Sequence, residues 1–358
     1  MPSLKEIKGR INSISSTLAI TSAMKMVAAA KLQKAQMAIQ NMLPYERRLH
    51  SMLVDLMGAM NISAAASEDG SVRGSGLAER GFDQSGDRLS LSNRHDLAGM
   101  DGAYSLMAQR EVRKVAIVAF ASNSSLCGAF NSNAIREATA VINEYRASGL
   151  GDADITVYSV GRKMAEAMKK LGFPSPADFT KMSDSPSYDA ASALAQELFD
   201  GFVSGRFDKV ELVYNHYKST SSQPTTRQTY LPLSLADATA DIQVGKITDS
   251  ASESDTNRGA ESVGAPVVRQ GSPTTEDLIV EPSKEELIVT LLPKVVRLRV
   301  FTTLLDSTAA EQAARTVAMQ LATDNGNDLL QELTLEYNKG RQQKITSEIL
   351  DLVGGSLQ

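Results

Sequence analysis

The feature that most restricts this chain is a pair of long helix-forming stretches at its opposite ends. From Leu4 to Ile62 the only helix-weakening residues are Gly9, Pro44 and Gly58, and alanine, methionine, lysine and glutamine, all good helix formers, dominate. At ~1.5 Å per residue such a helix is on the order of 90 Å long, several times an ordinary globular helix. Its apolar residues Leu4, Ile7, Ile11, Ile14 and Leu18, then Ala28, Leu32, Ala35, Ile39 and Met42, advance in alternating steps of three and four. That spacing makes a coiled-coil seam, and the break in it across Thr21 to Val27 predicts a local change of supercoil. At the other end Ser283 and Glu286 have the spacing of a capping box, after which helix formers continue almost to the C-terminus. Pro293 is expected to kink this helix, and Gly326 and Gly340 to weaken it. The expected seam there is Ala310, Ala314, Val317 and Leu321, then Leu330, Leu333 and Tyr337, then Ile345, Ile349 and Leu352. Two such helices satisfy each other by pairing antiparallel, with Leu18 expected opposite residues 317–322.

Between them strand and helix signals alternate from about Val112 to Ser234. VAIVAFA at 115–121 reads as a buried strand, 131–147 as a helix, DITVYSV at 154–160 as a strand, and 162–171 and 190–203 as helices. Segments 209–217 and 225–233 alternate as strands, so the middle is an α/β domain with helices packed on a sheet. Two polar, aperiodic stretches flank it and read as insertions or linkers. The expected organisation is an N-terminal coiled-coil helix at 1–62, an insertion at 63–111, a Rossmann-like α/β domain at 112–235, an insertion at 236–276 and a C-terminal coiled-coil helix at 277–358. The fold class is α/β, with a long two-helix coiled coil and the α/β domain inserted between its strands.

Several kinds of chemistry lack their residues. The turn after the first strand, SNSSLCGAFN, holds the single glycine Gly128 where a dinucleotide fingerprint needs G-x-G-x-x-G. Glycines 70, 74, 76, 81 and 86 lack the Gly-Lys-Ser/Thr of a phosphate loop. The three histidines are far apart in sequence, and no Cys/His metal spacing occurs. Cys127 is the sole cysteine, which excludes an internal disulfide, and it reads as a small packed residue in a tight turn rather than a nucleophile. No cofactor and no metal are expected. A net charge of -5 argues against nucleic-acid binding, although the first sixty residues carry eight Lys or Arg against three acids. A basic helix that is also rich in Ala and Met beyond its seam, as in AMKMVAAAKL at 23–32, reads as built to be enclosed by a partner with acidic loops. No apolar run reaches the ~18 residues needed to span a bilayer, and the first residues resemble neither a signal nor a transit segment.

Three motifs carry a family resemblance. LKEIKGRINSISSTLAITSAMKMVAAAKLQKAQ at 4–36 resembles the N-terminal helix of the gamma subunits of F-type ATP synthases. EQAARTVAMQLATDNGNDLLQELTLEYNKGRQQKITSEILDLVGGS at 311–356 is similar to their C-terminal helix, and SSLCGAFN at 124–131 resembles the turn after their first strand. Asn123, Ser124 and Ser125 stand where the family commonly has Asp-Arg-Gly. The resemblance implies a non-catalytic rotor shaft inside a hexamer of alpha and beta subunits, standing with epsilon on a membrane c ring. It implies a peripheral position on the cytoplasmic side of the bacterial inner membrane. It also carries the family's partner contacts to Met24 and Lys25 in the first helix, to Arg315, Gln342, Thr346 and Glu348 in the last, and to Glu281 at the foot. Two rivals remain at this point: an α/β enzyme using Cys127, and a purely structural coiled-coil scaffold. The chloroplast members' thiol switch is excluded, because the insertion has no cysteine.

Overall fold

A computed structural model of the chain describes residues 3–59, 106, 110–233, 281 and 284–355. The expected insertions therefore lie almost wholly outside the described residues, as does Ser283 of the expected capping box.

Helix α1 spans Leu4–Ala59 without interruption through Pro44. Ser3 caps it, its Oγ accepting from the Glu6 amide at 3.2 Å, and Glu6 places a negative charge in the first turn where the helix dipole favours it. The central elements follow in order: β1 Val115–Phe120, α2 Phe130–Ala147, β2 Ile155–Val160, α3 Arg162–Lys170, α4 Thr180–Asp184, α5 Tyr188–Val203, β3 Lys209–Asn215 and β4 Thr225–Leu231. Helix α6, Lys284–Gly355, closes the chain with 72 residues. Among the described residues only the short α4 and a 3₁₀ turn at Asp152–Asp154 lack a counterpart in the sequence reading.

The sheet has the order β2-β1-β3-β4; β1 runs parallel to both neighbours and β4 is antiparallel to β3. Central β1 is buried at all six positions, as its continuous apolar sequence requires of a strand covered on both faces. Its alternate residues feed two cores. Val115, Ile117 and Ala119 pack with α2 and α3, through Val141, Ile142, Met164 and Met168. Ala116, Val118 and Phe120 face α5, α6 and the far end of α1, among Leu194, Leu198, Leu292, Val296 and Leu53. Helix α6 is thus a layer of the α/β domain as well as half of the coiled coil. Tyr230 of β4 fastens the two, its hydroxyl donating to the Val296 carbonyl at 2.8 Å inside the core.

The two terminal helices pair antiparallel. Leu4 lies beside Gly340, Leu18 beside Gly326, Thr21 beside Thr323, Lys25 beside Gln320, Leu32 and Ala35 beside Ala309 and Ala313, and Glu46 beside Arg299 and Thr302. Every expected seam residue of α1 is buried or half-buried. On α6 the seam differs from the expectation. Val317 and Leu321 are 41% and 60% exposed, and Ala310 and Ala314 turn toward Cys127 and Phe130 instead of α1. Beside α1 lie Arg299, Thr302, Ala309, Ala313, Gln320, Thr323, Gly326 and Gly340, so Leu18 sits about one turn farther along than 317–322, while Leu330, Leu333 and Tyr337 are buried or half-buried as expected.

The physical reason is close approach. A Cβ on Gly326 would lie 2.7 Å from Leu18 Cδ2, and one on Gly340 would lie 3.1 Å from Leu4 Cδ2. These glycines admit leucine knobs from α1, and the helix continues through both. The last expected stretch, Ile345, Ile349 and Leu352, is exposed because α6 outruns α1: the N-terminal turn of α1 is already opposite Gly340.

Candidate coupling surface and its anchorage

The named positions divide into those held within the chain and those left open. Arg315 is only 8% exposed, and its guanidinium is committed internally. Nη1 donates to the Ser125 carbonyl at 2.8 Å, while Nη2 donates to Ser124 Oγ at 2.9 Å and to Glu311 Oε1 at 2.6 Å. The bonds cross from α6 to the turn following β1, and α6 therefore fills the end of the sheet where open α/β folds bind ligands. That turn bends sharply, with Leu126 and Gly128 both at positive φ, 69° and 58°. Gly128 brings the backbone against α6, its Cβ position 3.8 Å from Ala318 Cβ.

Burial raises the Glu311 carboxyl above its ordinary value, and the Arg315 charge works against that rise. The pair is an i, i+4 neighbour on the helix, shut away from water on both sides. Cys127 is packed in the same turn at 1% exposure, with Asn131 Nδ2 donating to its Sγ at 3.1 Å. No basic side chain bonds to it among the described residues, and the nucleophile reading gains no partner there.

Lys25 donates across the helix pair to Gln320 Oε1 at 2.6 Å, and Met24 beside it is half-buried. Asp324 in turn accepts from Gln320 Nε2 at 2.8 and 2.9 Å. The C-terminal positions are different. Gln342, Thr346 and Glu348 are all exposed; Thr346 Oγ1 donates to the Gln342 carbonyl at 2.9 Å, and Glu348 lies 3.7 Å from Lys344. Gln342 and Thr346 share one face, as their spacing of four requires. Glu281 is exposed and stands apart from the others at the far end of α6. The structure does not gather the named residues into a pocket; it strings them along the helix pair. Among the described residues no group of His, Cys, Asp and Glu could hold a metal ion, and no helix is long and apolar enough to cross a membrane.

Sequence reasoning missed Glu311, Ser124 and Ser125 as the partners of Arg315. The four-residue spacing of Glu311 and Arg315 was a legible signal of an ion pair, but the contact with the turn joins residues 190 and 191 positions apart. Gly326 and Gly340 were missed as seam residues because glycine in a helix reads first as a weak point.

Fold and site define a two-helix stalk locked to an α/β head, with one end of the longer helix left uncovered. A family model described as ATP synthase matches residues 3–357. The chain is 47% identical over 357 residues to the ATP synthase gamma chain of Phocaeicola vulgatus, covering 100% of both chains. It is 44% identical over 358 residues to the ATP synthase gamma chain of Bacteroides thetaiotaomicron, again over 100% of both. Among solved structures, a chain in the Euglena gracilis mitochondrial ATP synthase, OSCP/F1/c-ring, rotational state 3, shares the fold at a TM-score of 0.51. The identity there is 19%, with 98% of this chain and 92% of that chain covered. The chain belongs to the ATP synthase gamma chain family.

Proposed function

We propose that the chain is the central rotor shaft of an F-type ATP synthase, a subunit that couples rotation to chemistry without carrying a catalytic site itself. The observation that carries this reading is the antiparallel pair of terminal helices, anchored in the head at one end and extended as a single uncovered helix at the other. A two-helix rod has no threefold symmetry. Inside a hexamer of alpha and beta subunits it meets each beta subunit with a different face, so each rotational position favours a different set of conformations, a population shift driven by rotation. The head, with epsilon, stands on the c ring and takes the torque. The subunit is peripheral, on the cytoplasmic side of the membrane, and reaches the bilayer only through these partners.

Gln342, Thr346 and Glu348 are the contact positions toward the hexamer, supported by their exposure and shared helix. Met24 and Lys25 act with them along the opposite helix, and Glu281 serves the foot. Arg315 acts from within, holding α6 to the head so that torque entering one is delivered by the other. Gentle extraction of the tagged chain should bring down alpha, beta and epsilon subunits in fixed proportion. Purification of the full chain alone, from membranes that contain an active ATPase, would end this reading.

A further inference from the structure

The segment joining β3 to β4, residues 216–224, does more than reverse the chain. The His216 amide donates to the Pro224 carbonyl at 2.9 Å, and Ser219 and Ser222 exchange backbone bonds at 3.1 and 3.2 Å. The segment is therefore a closed strap projecting from the sheet, and it meets both stalk helices in two consecutive residues. On the α6 side, Asp306 takes the Tyr217 amide on Oδ1 at 2.9 Å, and its Oδ2 lies 2.6 Å from His216 Nδ1. On the α1 side, the Tyr217 ring packs against Leu32 and Ala35 together with Ala309 and Ala313. Its hydroxyl accepts from Gln36 Nε2 at 2.7 Å. Head, α1 and α6 meet here.

We propose that the His216–Asp306 pair is a proton-sensitive clasp, which binds the head to the stalk tightly while His216 is protonated and more loosely once it is neutral. Three observations support it. The pair is short and crosses between separate elements of the fold. The same carboxylate orders the strap through the Tyr217 amide, so weakening one bond loosens the other. Half of the His216 side chain remains exposed, at 50%, so it exchanges protons freely. The charges acting on it are Asp306 from α6 and Lys218 from the strap itself, and α1 contributes the uncharged Gln36 through Tyr217.

Asp306 raises the His216 value above its ordinary 6.5, against partial burial and Lys218, which lower it. The clasp's contribution is thus fully present below 6.5 and is lost as pH rises through the raised value. A neutral imidazole still donates from Nδ1, so the bond persists without its charge assistance. The consequence for rotation rests on the shaft reading above, whereas the clasp itself does not.

The test uses the full chain, isotopically labelled, with His216 titrated by NMR and amide exchange at Tyr217 followed from about pH 5 to about pH 9, corrected for intrinsic base catalysis. The expected results are a His216 midpoint above 6.5, a lower one in Asp306→Asn, and Tyr217 exchange that quickens severalfold above the midpoint. His216→Lys should keep exchange slow across the range, and His216→Gln should abolish the pH dependence. A midpoint at or below 6.5, or wild-type Tyr217 exchange without pH dependence, would overturn the clasp. Protons pumped per ATP by the assembled enzyme form a separate arm, where wild type and His216→Lys should diverge only on the alkaline side. A titrating clasp with identical coupling in both would leave the clasp standing and overturn its bearing on rotation.

Discussion

Between Leu291 and Thr316 a single residue of α6, Lys294, is exposed, whereas every described side chain from Arg341 to Leu352 is exposed. One helix thus lives in two environments. Its first half is shared between the sheet, α5 and α1, and its composition is that of a buried layer: Leu291, Leu292, Val296, Val300 and Leu304. Its last turns are left open to solvent, yet they still carry Ile345, Ile349, Leu350 and Leu352. Burial by the chain itself explains the first set. On the proposed reading the second is left for a housing, so that stability and coupling are segregated along the rod.

The largest expected effect lies in the head-bound half. Leu304, 1% exposed, should lose about 2 to 5 kcal/mol of unfolding free energy on replacement by alanine. Leu335→Ala, at a position 65% exposed, should stay within about 0.5 kcal/mol. Urea unfolding of the full chain checks both, and equal losses would erase the contrast between the two halves.

Arg315→Ala comes next, because it strands the Glu311 carboxylate in a buried site; a loss of about 3 kcal/mol at neutral pH is expected. The loss has a definite pH dependence. Glu311 already sits above its ordinary value through burial, and without Arg315 it rises further. A raised folded value means that stability is retained below the unfolded value and lost as pH rises through the folded one. The gap between variant and wild type should therefore narrow on acidification through that raised value. A gap of constant size would show that Glu311 is not the stranded group. Glu311→Gln should cost less than Arg315→Ala, since it removes the charge whose burial is expensive.

The glycines sharpen the comparison within the stalk. Gly326→Ala gains about 1 kcal/mol of helix propensity but forces Leu18 aside from a 2.7 Å approach, for a net loss of about 1 kcal/mol. Gly340→Ala meets Leu4 at 3.1 Å, near the free end of α1, and should come out neutral or slightly stabilising. Thermal unfolding of the two variants ranks them, and the reverse ranking would contradict the seam described above.

Most of the head was legible from the sequence because its signals are local. VAIVAF suited a buried strand, and the strand ends were found to within two residues. The register of α6 was legible only in its middle stretch, where Leu330, Leu333 and Tyr337 are buried or half-buried. Its contact line runs through Thr323, Gly326 and Gly340, which read as polar or weak, while Val317 and Leu321 face outward. A pattern of apolar residues identifies the seam only where apolar residues form it, and at Gly326 and Gly340 the seam residue is instead small and admits a leucine. The inward turn of Arg315 was also out of reach, since its partners lie in a turn almost two hundred positions away.

The smallest expected change in stability is at the exposed end, where Gln342→Ala and Thr346→Ala should each leave unfolding unchanged within about 0.5 kcal/mol. In the assembled enzyme the same variants should lower protons pumped per ATP with subunit content intact. The central claim, that the rod turns inside its partners, is met most directly by single-molecule rotation. A probe attached through Lys170→Cys, at the exposed end of α3, would be watched on an immobilised complex hydrolysing ATP; Cys127 is buried and does not compete for the label. Sustained rotation in one direction, at a rate that follows ATP turnover, is the predicted result. A stationary probe on a complex hydrolysing ATP at its full rate would contradict the account.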